Sequence, residues 1–381
     1  MKHHIGLLLP RSAIYPSIAF DIVDGFRCSY ENVATDNIEI RTININVANK
    51  YNEVYAKCEE LLFAGAEIVI AYLNPMIAAQ LQPLFASANK ILIILDAGYN
   101  CVNTSRLPNI FFLSLQSVLC YRLIAKIMEH NGHNSTIYAT SFFDSGYGGA
   151  YAFYCALAED GGNITMHHIT KLNRRDFSLT PLLHHLGVNK NDAVLASFCG
   201  DMLLDFCTHA VQDKLAGKAA IYLSPFGAEE QWLSQSPYCG KDIDTCVSWG
   251  SALQNEENNK FIAALATKDR TANLFSLLGW EAAIIADTVL KQENTANAIK
   301  ELEQFSYESP RGRVMMDNDL HQTYAPVYRS KVVRNTDDAC CLSIVGEMNN
   351  IDEERKKLQA DIIRLNGEGS YWFNAYACLE S

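Results

Sequence analysis

The sequence predicts an α/β protein with two Rossmann-like lobes, each built on a parallel central sheet. Three observations predict this class. Short apolar runs alternate with helical segments, the same alternation begins again after residue 120, and 381 residues exceed one ordinary hydrophobic core. Strands separated by helices form βαβ units, whose strands run parallel. We therefore expect two open sheets with helices on their faces.

The first half of the chain supplies five predicted strands, at residues 4–9, 38–47, 67–71, 91–95 and 110–113. The segment 38–47 alternates apolar and polar residues, whereas 67–71 is continuously apolar, which is typical of a strand buried on both faces. Apolar residues at helical spacing predict the connecting helices, at 17–30, 51–64 and 75–87.

The second half repeats this pattern. Predicted strands lie at 134–140, 164–169, 193–198, 219–223 and 246–249, and helices at 121–130, 146–160, 179–186 and 201–215. Further helices follow at 258–266, 272–292 and 295–305, with late strands at 312–316 and 323–333. After residue 337 we expect a packed terminal helix and strap, and a partner-docking segment is the alternative.

Composition excludes several classes of protein. The net charge of −12 argues against a nucleic-acid partner, because phosphates require a basic surface. No apolar run approaches the roughly 20 residues that span a bilayer. The start of the chain lacks the features of a secretory leader, so we expect a cytoplasmic protein, or a periplasmic one whose leader was removed.

Twelve cysteines are scattered through the chain, most of them in apolar surroundings where a thiol packs as a small hydrophobe. Their spacing contains no zinc-binding pattern, and scattered buried thiols indicate a reducing compartment. Cys239 and Cys246 lie seven residues apart in a polar segment. A small disulfide between them is the alternative to free thiols.

Sequence motifs give little support for catalysis. No GxSxG nucleophile motif is present, and the glycine-rich segment 146–149 lacks the order of a phosphate or dinucleotide loop. His167-His168 and His184-His185 are adjacent pairs whose side chains should diverge, which disfavours chelation. We therefore expect no cofactor, no metal and no catalytic residues.

Ligands of open α/β sheets bind at the carboxyl ends of the strands. In the first half these ends are residues 10–15, 72–75 and 96–99, and in the second half they are 142–147, 199–201 and 224–226. Tyr15 and Phe142 are candidate ligand contacts on this basis. Two such edges facing each other would form a ligand-binding cleft.

Motifs spread over residues 4–335 strengthen this interpretation by their order and spacing. They are Ile5-Gly6-Leu7-Leu8-Leu9-Pro10, Asp24-Gly25-Phe26, Ala64-Gly65-Ala66-Glu67, Asp144-Ser145-Gly146-Tyr147-Gly148, Leu278-Gly279-Trp280-Glu281, Ser309-Pro310-Arg311-Gly312 and Tyr324-Ala325-Pro326. Together they resemble the type I periplasmic binding-protein superfamily, in the branch of the leucine/isoleucine/valine-binding proteins and the cytoplasmic amide receptor. The resemblance implies that the chain changes lobe near residues 120, 250 and 325. Lobe 1 would then comprise 1–120 with 250–325, and lobe 2 would comprise 121–249 with 326–381.

The resemblance also implies specific ligand contacts, at Leu73, Asn74, Pro75, Ala97, Gly98, Tyr99, Tyr147, Asp201 and Phe226. The backbone amides of 97–99 suit a carboxylate or carbonyl oxygen, and the alternative is an ordinary βα turn. Tyr99 and Tyr147 offer flat apolar area with a hydroxyl, and the alternative is a packed aromatic. Asn74 can donate and accept hydrogen bonds, and the alternative is a helix cap before Pro75.

One position departs from the pattern of the amino-acid receptors. They pair the ligand ammonium with an acid of the second lobe, and the aligned position is Phe226. Asp144, Asp201 or Glu229 would have to substitute, so a neutral amide, an aromatic acid or a small peptide-like molecule suits the sequence as well as an amino acid.

The leading expectation is a protein that binds a small polar molecule in the cleft with closure about a hinge. It would serve as the substrate-binding protein of an ABC-type transporter or as a ligand sensor, so an ABC permease or a regulatory protein is its expected partner. An enzyme on the same scaffold is one alternative, with Asp96, Asp144 and Asp201 as its candidate acid–base groups. A non-binding scaffold is the other.

Overall fold

The computed structural model describes residues 2–13, 15–33, 38–46, 50–73, 77–98, 106–141, 146–171, 173–238 and 240–367. The chain divides into two compact units, and we describe each by itself. Within the described residues, unit 1 contains 2–115 and 254–325, and unit 2 contains 116–253 and 326–367.

Unit 1 is built on an eight-stranded sheet in the order β11-β12-β13-β5-β4-β3-β1-β2. Its strands are β1 (His3–Arg11), β2 (Ile38–Asn46), β3 (Ile68–Tyr72), β4 (Ile91–Asp96), β5 (Ile110–Ser114), β11 (Ser306–Ser309), β12 (Gly312–Asp317) and β13 (Gln322–Tyr324). Its helices are α1 (Ile18–Val33), α2 (Tyr51–Phe63), α3 (Ala78–Ala88), α9 (Glu256–Ala266), α10 (Leu274–Leu290) and α11 (Thr295–Glu303). Strands β1 to β5 pair in parallel, as the sequence predicts, whereas β11, β12 and β13 pair antiparallel with one another.

Unit 2 is built on a seven-stranded sheet in the order β15-β14-β10-β9-β8-β6-β7. Its strands are β6 (Ser135–Thr140), β7 (Asn163–Ile169), β8 (Ala193–Ser197), β9 (Ile221–Leu223), β10 (Ile243–Val247), β14 (Tyr328–Arg334) and β15 (Cys340–Glu347). Its helices are α4 (Ser117–His130), α5 (Gly146–Glu159), α6 (Thr180–Val188), α7 (Gly200–Gln212), α8 (Glu230–Leu233) and α12 (Ile351–Gly367). The two late strands β14 and β15 run antiparallel to their neighbours.

The late strands differ from the sequence-based expectation. The single strand predicted at 323–333 is in fact two strands, β13 and β14, which belong to different units. Pro326 lies between them, and its missing amide hydrogen disfavours a continuous strand. The strand predicted at 246–249 begins earlier, at Ile243, and β11 and β15 have no counterpart in the prediction.

Two glycines set the spacing of α1 and α10, which pack together in unit 1. A Cβ atom on Gly25 would lie 2.0 Å from the backbone oxygen of Ser276, and one on Gly279 would lie 2.0 Å from that of Ile22. Only residues without a Cβ allow the two backbones to approach this closely. The helix that returns at residue 274 is therefore part of the core of unit 1.

Candidate ligand-binding site

The carboxyl edge of the unit 1 sheet is held by buried polar groups. Asp96, the last residue of β4, is only 1% exposed. Its Oδ2 accepts a hydrogen bond from Ser114 Oγ at 3.0 Å, and its carbonyl oxygen accepts one from Leu115 N at 3.0 Å. Thr323 Oγ1 accepts a further bond from Ser114 N at 2.9 Å. These bonds fix the ends of β4 and β5, where the backbone continues into Ala97.

Four predicted contacts lie at this edge within the described residues. Tyr15, Leu73 and Ala97 are buried, and the ring of Tyr15 meets Phe275 edge-on at a centroid distance of 5.0 Å. Gly98 has a φ of 89°, a conformation that glycine adopts most readily. The backbone therefore turns sharply after β4.

Three other predicted contacts of this half, Asn74, Pro75 and Tyr99, lie outside the described residues. For all seven positions, the role of ligand contact stays a prediction.

In unit 2, hydroxyl groups hold the carboxyl ends of β6, β8 and β9. Thr140 Oγ1 donates to the carbonyl oxygen of Ser197 at 3.0 Å, and Ser197 Oγ lies 2.5 Å from Tyr121 Oη. After β9, Ser224 Oγ accepts a hydrogen bond from Gly227 N at 3.1 Å. Motif reasoning did not single out these hydroxyl groups, because their only sequence signal is their position at strand ends.

Asp201 and Phe226 occupy surroundings that restrict their chemistry. The Asp201 carboxylate pairs with Arg174 Nη1 at 2.5 Å, and hydrogen bonding to Asp205, together with this pair, raises the pKa of Arg174. The side chain of Phe226 is buried, with 1% exposed. The alternative acid Glu229 is also engaged, since its Oε2 caps α8 by accepting from Trp232 N at 3.3 Å.

The other two predicted contacts of this half are described less fully. Tyr147 belongs to the first turn of α5, where only the backbone is described. Phe142 and the candidate acid Asp144 lie outside the described residues. The contacts of Tyr147, Asp201, Phe226 and Phe142 with a ligand stay predictions.

The cysteines agree with the expectation in one respect and differ in another. Cys246 is a free, buried thiol as expected, so the alternative of a Cys239–Cys246 disulfide is wrong. Burial raises its pKa well above the ordinary value, and the hydrogen-bonded thiol of Cys120 raises it further. Cys239 itself lies outside the described residues. Cys199, directly after β8, takes part in a disulfide.

Within the described ranges, no group of three or more histidine, cysteine, aspartate or glutamate side chains is arranged to hold a metal ion. Among the helices of the same ranges, none combines the length and the apolar character of a membrane span.

Comparison with known proteins identifies a family. A family model described as "Periplasmic binding protein" matches residues 2–337. No curated protein matches the sequence.

Solved structures share the fold at low sequence identity. An ABC transporter substrate-binding protein from Sphaerobacter thermophilus has a TM-score of 0.81 and 15% identity, covering 91% of this chain and 98% of its own. A solute-binding protein from Rhodopseudomonas palustris, solved with 4-hydroxybenzoate, has a TM-score of 0.75 and 16% identity, covering 91% and 97%. An ABC-type branched-chain amino acid transporter protein from the same species has a TM-score of 0.72 and 18% identity, covering 91% and 96%.

Proposed function

Because the chain belongs to the periplasmic binding-protein family, we propose that it is the substrate-binding protein of an ABC-type transporter and binds a small polar molecule. The family match over residues 2–337 is the observation that carries this proposal. The ligand would lie at the carboxyl edges of the two sheets, where open α/β sheets bind their ligands.

We further propose that the ligand is a carboxylate without an ammonium group. Phe226 has no charge to offer, Asp201 is paired with Arg174 at 2.5 Å, and Glu229 caps a helix. Among the described positions, an ammonium group would therefore lack a dedicated partner, and its desolvation there would be costly; Asp144, outside the described residues, is the remaining candidate acid. Solute-binding proteins solved with benzoate and with 4-hydroxybenzoate are among the structural neighbours, so aromatic acids are the first ligands to test.

Thermal unfolding in the presence of candidate ligands tests the proposal. At 100 times its Kd, a ligand that binds only the folded state adds about 2.7 kcal/mol of stability. We expect benzoate or 4-hydroxybenzoate to raise the melting temperature, and leucine and acetamide to raise it less. If leucine stabilises the protein most, the ligand class is wrong. If a broad metabolite panel produces no shift, the binding function itself is contradicted.

A pair of tyrosines on α5 provides a matched test of the site. Tyr147→Ala should weaken binding of the stabilising ligand by about tenfold, since a ring that covers a ligand contributes a few kcal/mol at most. Tyr154→Ala is the control, because Tyr154 lies on the same helix and is 49% exposed. Equal affinities for the two variants, measured by calorimetry, would remove Tyr147 from the site.

We propose that the protein has no catalytic role of its own. The family consists of binding proteins, and the carboxylates of Asp96 and Asp201 are engaged with Ser114 and Arg174. Incubation of the protein with each stabilising ligand, followed by mass spectrometry of the ligand, should recover it unchanged. Turnover would support the enzyme alternative.

We also propose that the protein works in an oxidising compartment, which for this family is the periplasm. The disulfide at Cys199 supports this, because disulfides persist outside the reducing cytosol. Alkylation of protein purified from its native cells, without reductant, should leave Cys199 unmodified. A fully alkylated Cys199 would favour the cytoplasmic sensor, whose partner would be a regulatory protein.

A further inference from the structure

A cavity of about 330 Å³ lies in unit 2, at the edge of the sheet opposite the carboxyl ends of the parallel strands. It is formed where α4 ends, where β9 and β10 begin, and beside β14. The polar residues Asn131, His133, Tyr222, Asp244 and Arg329 are among those that line it. This volume is in the range of small-molecule sites. The function proposed above does not use it.

Hydrogen bonds connect three of the polar residues that line the cavity, Asn131, Asp244 and Arg329. Asp244, 3% exposed, accepts from Arg329 through Nε–H to Oδ1 at 2.8 Å and Nη2–H to Oδ2 at 3.1 Å. Asn131 Nδ2 donates to Asp244 Oδ2 at 3.2 Å, and Asn131 Oδ1 accepts from Arg329 Nη2 at 3.3 Å. An acceptor on one side and a donor on the other allow only one orientation of the Asn131 amide.

Tyr222 connects this network to His133. Asn131 Nδ2 also donates to the hydroxyl of Tyr222 at 2.9 Å. The Tyr222 hydroxyl lies 2.7 Å from His133 Nδ1, and burial raises the pKa of Tyr222 and lowers the pKa of His133. A hydroxyl can accept two hydrogen bonds, so the direction of this bond is an assignment: with Tyr222 as the donor, the neutral ring of His133 carries its proton on Nε2.

The rim of the cavity adds positive charge. Lys331 Nζ pairs with Asp242 Oδ1 at 2.8 Å, and the two side chains are 34% and 79% exposed. Lys241 lines the same rim. Three cations thus face two carboxylates, and each carboxylate already has a cationic partner. The excess charge is positive, and the added donor is His133 Nε2.

We propose that this cavity binds a small phosphorylated metabolite, with its phosphate held by Lys241, Lys331 and Arg329 and by the Nε2–H of His133. A phosphate monoester is a dianion with three acceptor oxygens, which suits a set of N–H donors with excess positive charge. The rest of the metabolite occupies the remaining volume.

Calorimetric titration of the full chain tests this site directly. At constant ionic strength, glycerol 3-phosphate should bind with saturation at one site, and glycerol should not bind. Lys241→Ala and Lys331→Ala should each weaken binding about fivefold, the effect of a favourable partly exposed charge pair. Lys190→Ala is the control, because Lys190 is an exposed lysine of unit 2 outside the cavity. No saturable binding, or an equal loss in the control, would overturn the proposal.

The ring of His133 gives a second readout that distinguishes this site from the carboxyl edge. A bound phosphate favours the imidazolium, so saturating glycerol 3-phosphate should raise the pKa of His133 in a histidine-resolved NMR titration. The charged and titratable groups that line the cavity with it are Tyr222, Lys241, Asp242, Asp244, Arg329 and Lys331. Benzoate bound at the carboxyl edge should leave this pKa unchanged. Binding of glycerol 3-phosphate without a change at His133 would place the phosphate elsewhere and contradict the proposal.

Discussion

Each unit is completed by a segment that returns from a distant part of the chain, and the two segments are held by different arrangements of charge. In unit 1, Glu281 on α10 and Arg311 before β12 form a pair in which both side chains are 0% exposed. Arg311 donates to both Glu281 oxygens at 2.8 Å, and to the carbonyl oxygen of Ser114 at 2.9 Å. The returning segment therefore carries its ion pair into the core.

Unit 2 buries its cation with one of three acidic partners and leaves the other two partly exposed. Arg122 on α4 is 0% exposed, and it bonds Glu354 at 2.6 Å and Asp361 at 2.8 Å, both on α12. Glu159 of α5 is a third partner. The side chains of Asp361 and Glu159 are 17% and 32% exposed and remain partly hydrated, whereas Glu354 is buried.

This difference predicts how each unit responds when one member of its ion pair is removed. Removing one member of a fully buried pair leaves a charge with neither partner nor water, which destabilises the whole unit. Removing Arg122 leaves two acids that water reaches and one, Glu354, that keeps Lys357 as a partner, so α12 should come loose while the sheet remains folded.

The largest expected effect is that of Glu281→Gln, which leaves Arg311 without its counter-charge. We expect a loss of about 3–5 kcal/mol in the free energy of unfolding, measured with urea. Glu301→Gln, at an exposed position of α11, should stay within about 0.5 kcal/mol of the original protein. A similar small effect for Glu281→Gln would show that the core pair is dispensable.

A smaller loss is expected from Gly279→Ala, which tests the returning helix of unit 1 by packing alone. The new Cβ would meet the Ile22 backbone oxygen at 2.0 Å, and overpacking of this kind costs about 1–3 kcal/mol. Gly187→Ala on α6 has nothing within 4 Å, so higher helix propensity should stabilise it by up to about 1 kcal/mol. If both substitutions change the free energy of unfolding in the same direction, the close contact at Gly279 does not determine the stability of unit 1.

For Arg122→Met we expect a loss of about 2 kcal/mol, because two of the three acids remain partly solvated. Hydrogen exchange should accelerate in α12 before it does in β6 and β8. Arg175→Met, at an exposed arginine, should leave both regions unchanged. If α12 and the strands exchange together in Arg122→Met, the terminal helix is part of the unit 2 core and the contrast with unit 1 disappears.

The smallest effect concerns pH, since each unit contains a buried neutral histidine. Burial lowers the pKa of His321 in unit 1 and of His168 in unit 2. The unfolded chain binds these protons near pH 6.5 and the folded chain binds them only at lower pH, so stability is full above about pH 6.5 and falls as the pH decreases. One such proton contributes at most about 1.4 kcal/mol per pH unit.

Urea unfolding at pH 7.5 and 5.5 measures this dependence, and His168→Gln should reduce it. If the free energy of unfolding of His168→Gln depends on pH as strongly as that of the original protein, His168 does not contribute to the pH dependence.

The sequence predicts the central parallel strands well, because the apolar runs 68–72 and 91–95 identify β3 and β4, which are buried at every position. Edge strands are harder. Ser306–Ser309 and Cys340–Glu347 are only partly buried, so their composition carries little signal. The pairing of β13 with β5 and of β14 with β10 joins residues more than 80 positions apart, which local patterns do not encode.

The candidate site is predictable as a location rather than as a set of contacts. Strand ends identify the carboxyl edges, because the chemistry of parallel sheets places ligands there. The engagement of Asp201 with Arg174, 27 residues earlier, has no signature in the sequence. The cavity of unit 2 has no signature in the sequence either, because Asn131 and Arg329, which line it, are separated by 198 residues.

Hydrogen–deuterium exchange with and without the most stabilising ligand tests the central claim most directly. We expect protection in peptides that contain Leu73, Ala97–Gly98, Asp201 and Phe226, and none in peptides that contain His133 and Asp244. Protection that is confined to other surfaces of the two units would contradict binding at the carboxyl edges.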